Sequence, residues 1–368
     1  MATMERQTAA GRDTGTGAQT KRSLIDCDLH NVVPSTQALF PYLPAHWREH
    51  ITNTLFKGPA ESAYPRRAPT TERPGSAPEH GPAGSDLGLL REQVLDALGV
   101  EIGVLCCAYA VDSLHNPDAA VALARAANDW QIAEWLDKEP RLRASIVVPS
   151  QIPHLAAAEI ERVGDHPGFV QVALPVRTQH PYGSRLWHPL WEAIARHDLV
   201  GGITFGGVPG NPPTPSGWPS YYFEEYAGMA QVFQSQLVSL VTEGVFDQFP
   251  TLRVTLLEGG WTWLPPFLWR FDKEWRNLRR LVPWVKRPPS EYVKEHVRLT
   301  IQPLDAPPDP AHLRQVLDQL GTDDLLLFST DYPHLHEADP ERTLFPELSE
   351  DAAQKIRSEN ARAFYRFS

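Results

Sequence analysis

The sequence predicts an α/β fold of the (β/α)8 TIM-barrel type, and three features of the 368 residues carry that expectation. Eight short apolar segments recur along the chain. Stretches of helical periodicity alternate with them. The glycine fingerprints of the rival doubly wound sheet, Gly-x-Gly-x-x-Gly after an early strand and Gly-x-x-x-x-Gly-Lys, are absent. Strands that are apolar throughout belong to parallel sheets covered on both faces. Eight such units in one uninterrupted run close into a barrel.

The elements follow in order. The first strand is Leu24-Ile25-Asp26-Cys27-Asp28-Leu29-His30. After it comes an irregular aromatic segment around residues 39–48. Residues 57–86 are dense in Pro, Gly, Ser and Ala and predict a long loop or lid. Residues 87–98 have helical spacing and stop at Gly99. Residues 101–107 form a strand. Asn116 and Pro117 then cap and open a helix that runs to about 137. Strands are expected at 142–148, 169–174 and 199–205, with helices at 153–163 and 186–197 between them. A Gly/Pro-rich loop at 206–220 precedes a long helix, 221–243, which ends at Gly244. The remaining strands are 252–257, 297–301 and 325–329. Helices at 261–281, 310–320 and 349–365 complete the pattern. The domain is taken as 23–368, with residues 1–22 as a disordered tail.

Composition narrows the function. Net charge is −11 with no basic block, which argues against nucleic acid and anionic membrane as partners. No apolar run approaches the roughly 20 residues of a membrane span. The polar start of the chain lacks the apolar core of a secretion signal. Cys27, Cys106 and Cys107 lie in expected buried strands without metal-type spacing, and read as inert core thiols of a cytoplasmic protein.

In a barrel of this kind the reactive residues sit just after the strands, at their C-terminal ends. Strand one ends in Asp28 and His30, two apart and therefore on one face. Strand five ends in Thr204, strand six in Glu258-Gly259-Gly260-Trp261, and strand eight in Asp331-Tyr332-Pro333-His334. Buried carboxylates so close together repel unless a cation compensates them. Asp28, His30, Glu258 and Asp331 are thus candidate ligands of one divalent ion. This oxygen-rich set leans toward Mn²⁺, Fe²⁺ or Mg²⁺, with Zn²⁺ open. Asp331 and His334 are the candidate proton carriers. Thr204, His336, His188, Arg185 and Trp261 are candidate substrate contacts, Trp261 by stacking on a planar ring.

These residues resemble the amidohydrolase superfamily, in the branch related to aminocarboxymuconate semialdehyde decarboxylase. The resemblance runs from about residue 24 to 365. It rests on Ile25-Asp26-Cys27-Asp28-Leu29-His30, Glu243-Gly244-Val245-Phe246, Leu257-Glu258-Gly259-Gly260 with Trp263-Leu264-Pro265, Thr300-Ile301-Gln302-Pro303, and Ser329-Thr330-Asp331-Tyr332-Pro333-His334. It implies a mononuclear divalent metal (Zn, Mn or Fe), a homodimer, and hydrolysis or non-oxidative decarboxylation of a small acid. The chain departs from that pattern at strand five, where Thr204 stands in place of a ligand histidine. It departs again at strand six, where Glu258 precedes two glycines. Either Glu258 or His336 compensates, or the barrel is a metal-poor lyase, isomerase, cyclase or binding protein.

Overall fold

A computed structural model of the chain describes residues 23–59, 72–207, 212, 216–309 and 311–367. The expected tail at 1–22, part of the 57–86 insertion and part of the 206–220 loop lie outside the described residues. Eight strands form one parallel sheet in sequence order: β1 Ile25–Leu29, β2 Ile102–Leu105, β3 Leu142–Val147, β4 Phe169–Arg177, β5 Val200–Gly207, β6 Arg253–Leu256, β7 Val297–Thr300 and β8 Leu326–Leu327. Every residue of β1, β2 and β6 is buried, the polar Asp26, Asp28, Arg253 and Thr255 included.

The first and last strands meet. Cys27 N donates to Phe328 O (2.9 Å), Asp331 N to Asp28 O (3.1 Å) and His30 N to Tyr332 O (2.7 Å). This seam brings the two ends of the sequence together at the C-terminal rim. Asp26 fastens it from below. Its carboxylate accepts from Thr330 N (3.1 Å), Thr330 Oγ1 (2.6 Å) and Asp28 N (3.2 Å).

Several helices start at a residue whose side chain caps them. Asn116 accepts from Asp118 N and Ala119 N ahead of helix Pro117–Gln131. Asp86 accepts from Leu89 N, and Ser349 from Ala352 N. The long helix Tyr222–Thr242 ends against Gly244, at φ 76°. Among the described residues four α-helices were not expected: the single turns Val245–Gln248 and Pro340–Thr343, and two longer ones. Ala45–Asn53 has one buried side chain, Ile51, so it leaves almost no apolar period to read. Pro289–His296 opens on the second of two prolines and buries Pro289, Tyr292, Val293 and His296 within only eight residues. β4 runs on to Arg177, beyond the expected end at 174, because Arg177 still pairs with Gly207.

The described part of the insertion packs on the rim. Arg73 N donates to Pro333 O (2.7 Å) and Val32 N to Gly84 O (3.0 Å). Gly84 has φ 78°, and a Cβ there would stand 2.7 Å from His30 O, so only glycine fits. The opposite end of the barrel is closed by the chain terminus. From helix Asn360–Tyr365, Tyr365 Oη donates to Gln171 Oε1 (2.7 Å) and lies 3.2 Å from Thr255 Oγ1. Gln171 Nε2 in turn donates to Ser145 Oγ (2.9 Å), which donates to Leu105 O (2.8 Å).

Candidate metal centre

The ends of β1, β6 and β8 converge on one buried point. His30 Nε2 lies 2.8 Å from Asp331 Oδ1, 3.4 Å from Glu258 Oε1 and 3.5 Å from Asp28 Oδ1. The four side chains are at most 7% exposed. On its other side, His30 Nδ1 donates to the Cys106 carbonyl oxygen (3.1 Å). A carbonyl can only accept, so this contact fixes the ring and turns Nε2 toward the carboxylates. Glu258 and Asp331 both hold left-handed backbone, φ 60° and 56°. For non-glycine residues that costs about 1 kcal/mol or more each, a strain that clusters at functional sites.

Asp28 is the anomaly of the cluster. It is fully buried, and neither carboxylate oxygen has a hydrogen-bond partner. Burial drives its pKa well above the ordinary range; His30 opposes the rise, while Asp331, Glu258 and Asp26 add to it. Burial also works against charging His30, but Asp28, the hydrogen bond to Asp331, and Glu258 outweigh it and raise His30 to about 10. Asp331 goes the other way. Burial would raise it, yet His334, His30 and His336 together hold it well below the usual carboxylate value. His334 Nδ1 is 2.9 Å from Asp331 Oδ1 and His336 Nε2 is 2.6 Å from Oδ2. Asp26, one layer down, is pushed up to about 7 by burial against its hydrogen bonds from Thr330 and Asp28.

The orphaned Asp28 oxygens and the crowding of like charges fit a divalent cation. Among the described residues two groups have ligand atoms that all lie within 4.8 Å of one another: His30, Glu258, Asp331 and His334; and Asp28, His30 and Cys106. Thr204 Oγ1 donates to Glu258 Oε1 (3.0 Å), so it orients a carboxylate beside the cluster. Thr300 Oγ1 accepts from Glu258 N (3.1 Å).

Three sequence candidates lie elsewhere. His188 opens helix His188–Arg196, with its ring 5.7 Å from that of Phe249. Its pKa is lowered by burial and by Arg185, with Glu243 acting against them. Glu243 and Phe249 flank the start of β6, the end opposite the rim, so neither His188 nor the exposed Arg185 faces the mouth. The cause is the segment after β4, which descends along helix Tyr222–Thr242 through Tyr182 N to Gln236 Oε1 (2.8 Å) and Gly183 N to Ser239 Oγ (3.1 Å). Trp261 is entirely buried in the main hydrophobic cluster, which leaves its face no room to stack on a substrate.

Other residues at the site were not singled out by the sequence. Cys106, read as an inert core thiol, stands beside Asp28 and His30. Its place directly after β2 was the available signal. Tyr226, on the long helix, is raised by burial and then by the charges of Glu258, Asp331 and Asp305; its ring meets Phe205 at 5.7 Å. Asp305, after β7, is raised by burial and moderated by His336.

Comparison with known proteins gives a family and a fold. A family model described as amidohydrolase matches residues 25–367. The chain is similar to the gamma-resorcylate decarboxylase of Polaromonas sp. (strain JS666), 29% identical over 268 residues, covering 66% of this chain and 76% of the relative. The corresponding enzyme of Rhizobium sp. (strain MTP-10005) is 28% identical over 272 residues, covering 67% of this chain and 77% of the relative. Among solved structures, 5-carboxyvanillate decarboxylase of Novosphingobium aromaticivorans, complexed with manganese and 4-hydroxy-3-methoxy-5-nitrobenzoic acid, superposes with TM-score 0.71. It is 23% identical, over 98% of this chain and 100% of that one.

Proposed function

The chain belongs to the amidohydrolase family, and on that premise we propose that it is a metal-dependent carboxy-lyase that removes CO₂, without oxidation, from a small hydroxylated aromatic acid. One observation carries the reading: Asp28 is fully buried with both oxygens unpartnered, beside His30, Glu258 and Asp331. Asp28, His30, Glu258 and Asp331 would hold the cation. When bound, a divalent ion supplies a Lewis acid that polarises the oxygens of the substrate. The named relatives, gamma-resorcylate and 5-carboxyvanillate decarboxylases, supply the substrate class.

The residues of the chain then have separate tasks. Glu258, oriented by Thr204 and Thr300, keeps its carboxylate at the centre. Asp331 carries the proton. Its Oδ2 faces His336 Nε2 and its Oδ1 faces His334 Nδ1, so a proton passed to a ring carbon is replaced from either imidazole. The overall change balances: the ring carbon gains one proton, its bond to the carboxylate carbon breaks, and the electron pair of that bond ends in the new C–H bond as CO₂ leaves. Phe205 and Tyr226 offer an aromatic wall to a flat substrate.

The test is to incubate the metal-loaded protein with a panel of hydroxybenzoates in D₂O. The reading expects CO₂ and deuterium at the vacated ring carbon; release of a hydrolysis product without CO₂ would replace it with hydrolysis at the same ligands. A metal-free lyase, isomerase or cyclase is the second reading, favoured by Thr204 at β5 and by the three imidazoles that contact Asp331. Activity that survives chelation with no metal bound would establish it. A cytoplasmic location and a homodimer belong to the same reading, and size-exclusion chromatography tests the second. Among the described residues no helix is long and apolar enough to cross a membrane.

A further inference from the structure

We propose that Cys106 Sγ is itself a ligand of the cation, so that the site is a mixed sulfur, nitrogen and oxygen centre that prefers Zn²⁺ or Co²⁺ to Mn²⁺ or Mg²⁺. The proposal rests on the metal-dependent reading above and narrows it. Cys106 follows β2 directly and is fully buried. Its sulfur, an Asp28 oxygen and an imidazole nitrogen of His30 all lie within 4.8 Å of one another, so the three donors face one common point.

A second observation points to a ligand at the same place. Both oxygens of Asp28, in this group of three, are buried and have no hydrogen-bond partner. The group shares His30 with the neighbouring cluster of Glu258, Asp331 and His334, so the sulfur lies beside the other candidate ligands. The backbone assists, because the Cys106 carbonyl is the acceptor that orients His30. One residue therefore sets the histidine through its main chain and adds a donor through its side chain. On β5 the available group is the Thr204 hydroxyl, which is committed to Glu258 and in hydrogen-bond contact with Cys106. Sulfur is a softer donor than carboxylate oxygen, and softer donors favour Zn²⁺ and Co²⁺ over the hard ions. Coordination breaks the S–H bond, forms the sulfur–metal bond and releases the proton to the medium.

The experiment uses the full chain, stripped with chelator and reloaded with Co²⁺ alone. The proposal expects one bound cobalt with a near-ultraviolet sulfur-to-cobalt charge-transfer band. Cys106→Ser should lose that band while Cys107→Ser keeps it, and the preference of Cys106→Ser for Zn²⁺ over Mn²⁺ should fall about tenfold. Cobalt bound without a sulfur band overturns the proposal and leaves the metal-dependent reading standing. Failure of the wild-type chain to bind cobalt overturns both. Should Cys106→Ser not fold, X-ray absorption on the Zn²⁺-loaded wild type decides: a sulfur at about 2.3 Å supports the proposal, and a shell of nitrogen and oxygen alone at about 2.0–2.1 Å overturns it.

Discussion

The two ends of the barrel carry similar groups and treat them in opposite ways, half-exposed and paired at one, buried and crowded at the other. At the closed end, Asp198 meets two guanidinium groups: Arg253 at 2.7 Å, and Arg366. Arg253 also reaches the Phe364 carbonyl, and Tyr365, Gln171, Thr255 and Ser145 satisfy one another beside it. At the open end, Asp28, Glu258 and Asp331 crowd one imidazole, and Asp28 has no hydrogen-bond partner. Each end holds two non-glycine residues in left-handed backbone, Asp198 and Arg366 at one, Glu258 and Asp331 at the other. At the closed end these residues are opposite in charge and pair; at the open end they are both acidic. The fold thus neutralises its base with its own cations and leaves its mouth short of positive charge. The missing charge is what an external ion supplies.

That contrast predicts what substitutions do. The largest effect belongs to the mouth. Asp331→Asn should lower kcat by about 10³-fold or more while circular dichroism stays native, because it removes the proton carrier and a ligand together. At the base the sign of the outcome reverses. Tyr365→Phe should cost about 1–2 kcal/mol in denaturant unfolding, by leaving Gln171 and Thr255 short of a partner, with kcat little changed. If Tyr365→Phe abolished activity without lowering stability, the division between the two ends would fail.

The mouth should also respond to pH in a direction the base does not. His30 is raised to about 10. In the chelated protein its contribution to stability is therefore complete below about pH 6.5, the ordinary value, and is lost as pH rises through about 10. Asp26, raised to about 7, holds a proton in the folded state that the unfolded chain has already released, so its effect has the same sign between pH 3.8 and about 7. Chelated protein should consequently melt at a lower temperature at pH 9 than at pH 6. The Tm increase on adding metal should be larger at pH 9, where protons compete less for the site. A metal-induced shift that shrank as pH rose would count against the site. The smallest effect is expected at His188. His188→Ala should leave kcat/KM within about twofold and stability within about 1 kcal/mol, since the residue lies at the far end of the barrel.

Much of this was legible in the sequence because it follows from periodicity. Strand ends are read directly from apolar runs, and a spacing of two puts Asp28 and His30 on one face. That was enough to draw Asp28, His30, Glu258 and Asp331 to one rim. Cys106 was missed because a small thiol after Val104 and Leu105 continues the apolar run, and composition cannot tell a core sulfur from one that faces a pocket. Tyr226 and Asp305 were missed because they project from a helix and a loop whose path across the rim depends on packing. His188 was misplaced for the opposite reason. A helix start is legible, but the descent of residues 178–187 along the neighbouring helix, fixed by Gln236 and Ser239, is not.

The most direct measurement is the metal content of the chain after chelation and reloading with a single divalent ion, for the wild type, Asp28→Asn and Asp331→Asn. Residues about 300 positions apart in sequence meet at the seam of the barrel, so the account predicts one ion per wild-type chain and a loss of most of it in each variant. Equal metal content in all three proteins, or an empty wild type, would contradict it.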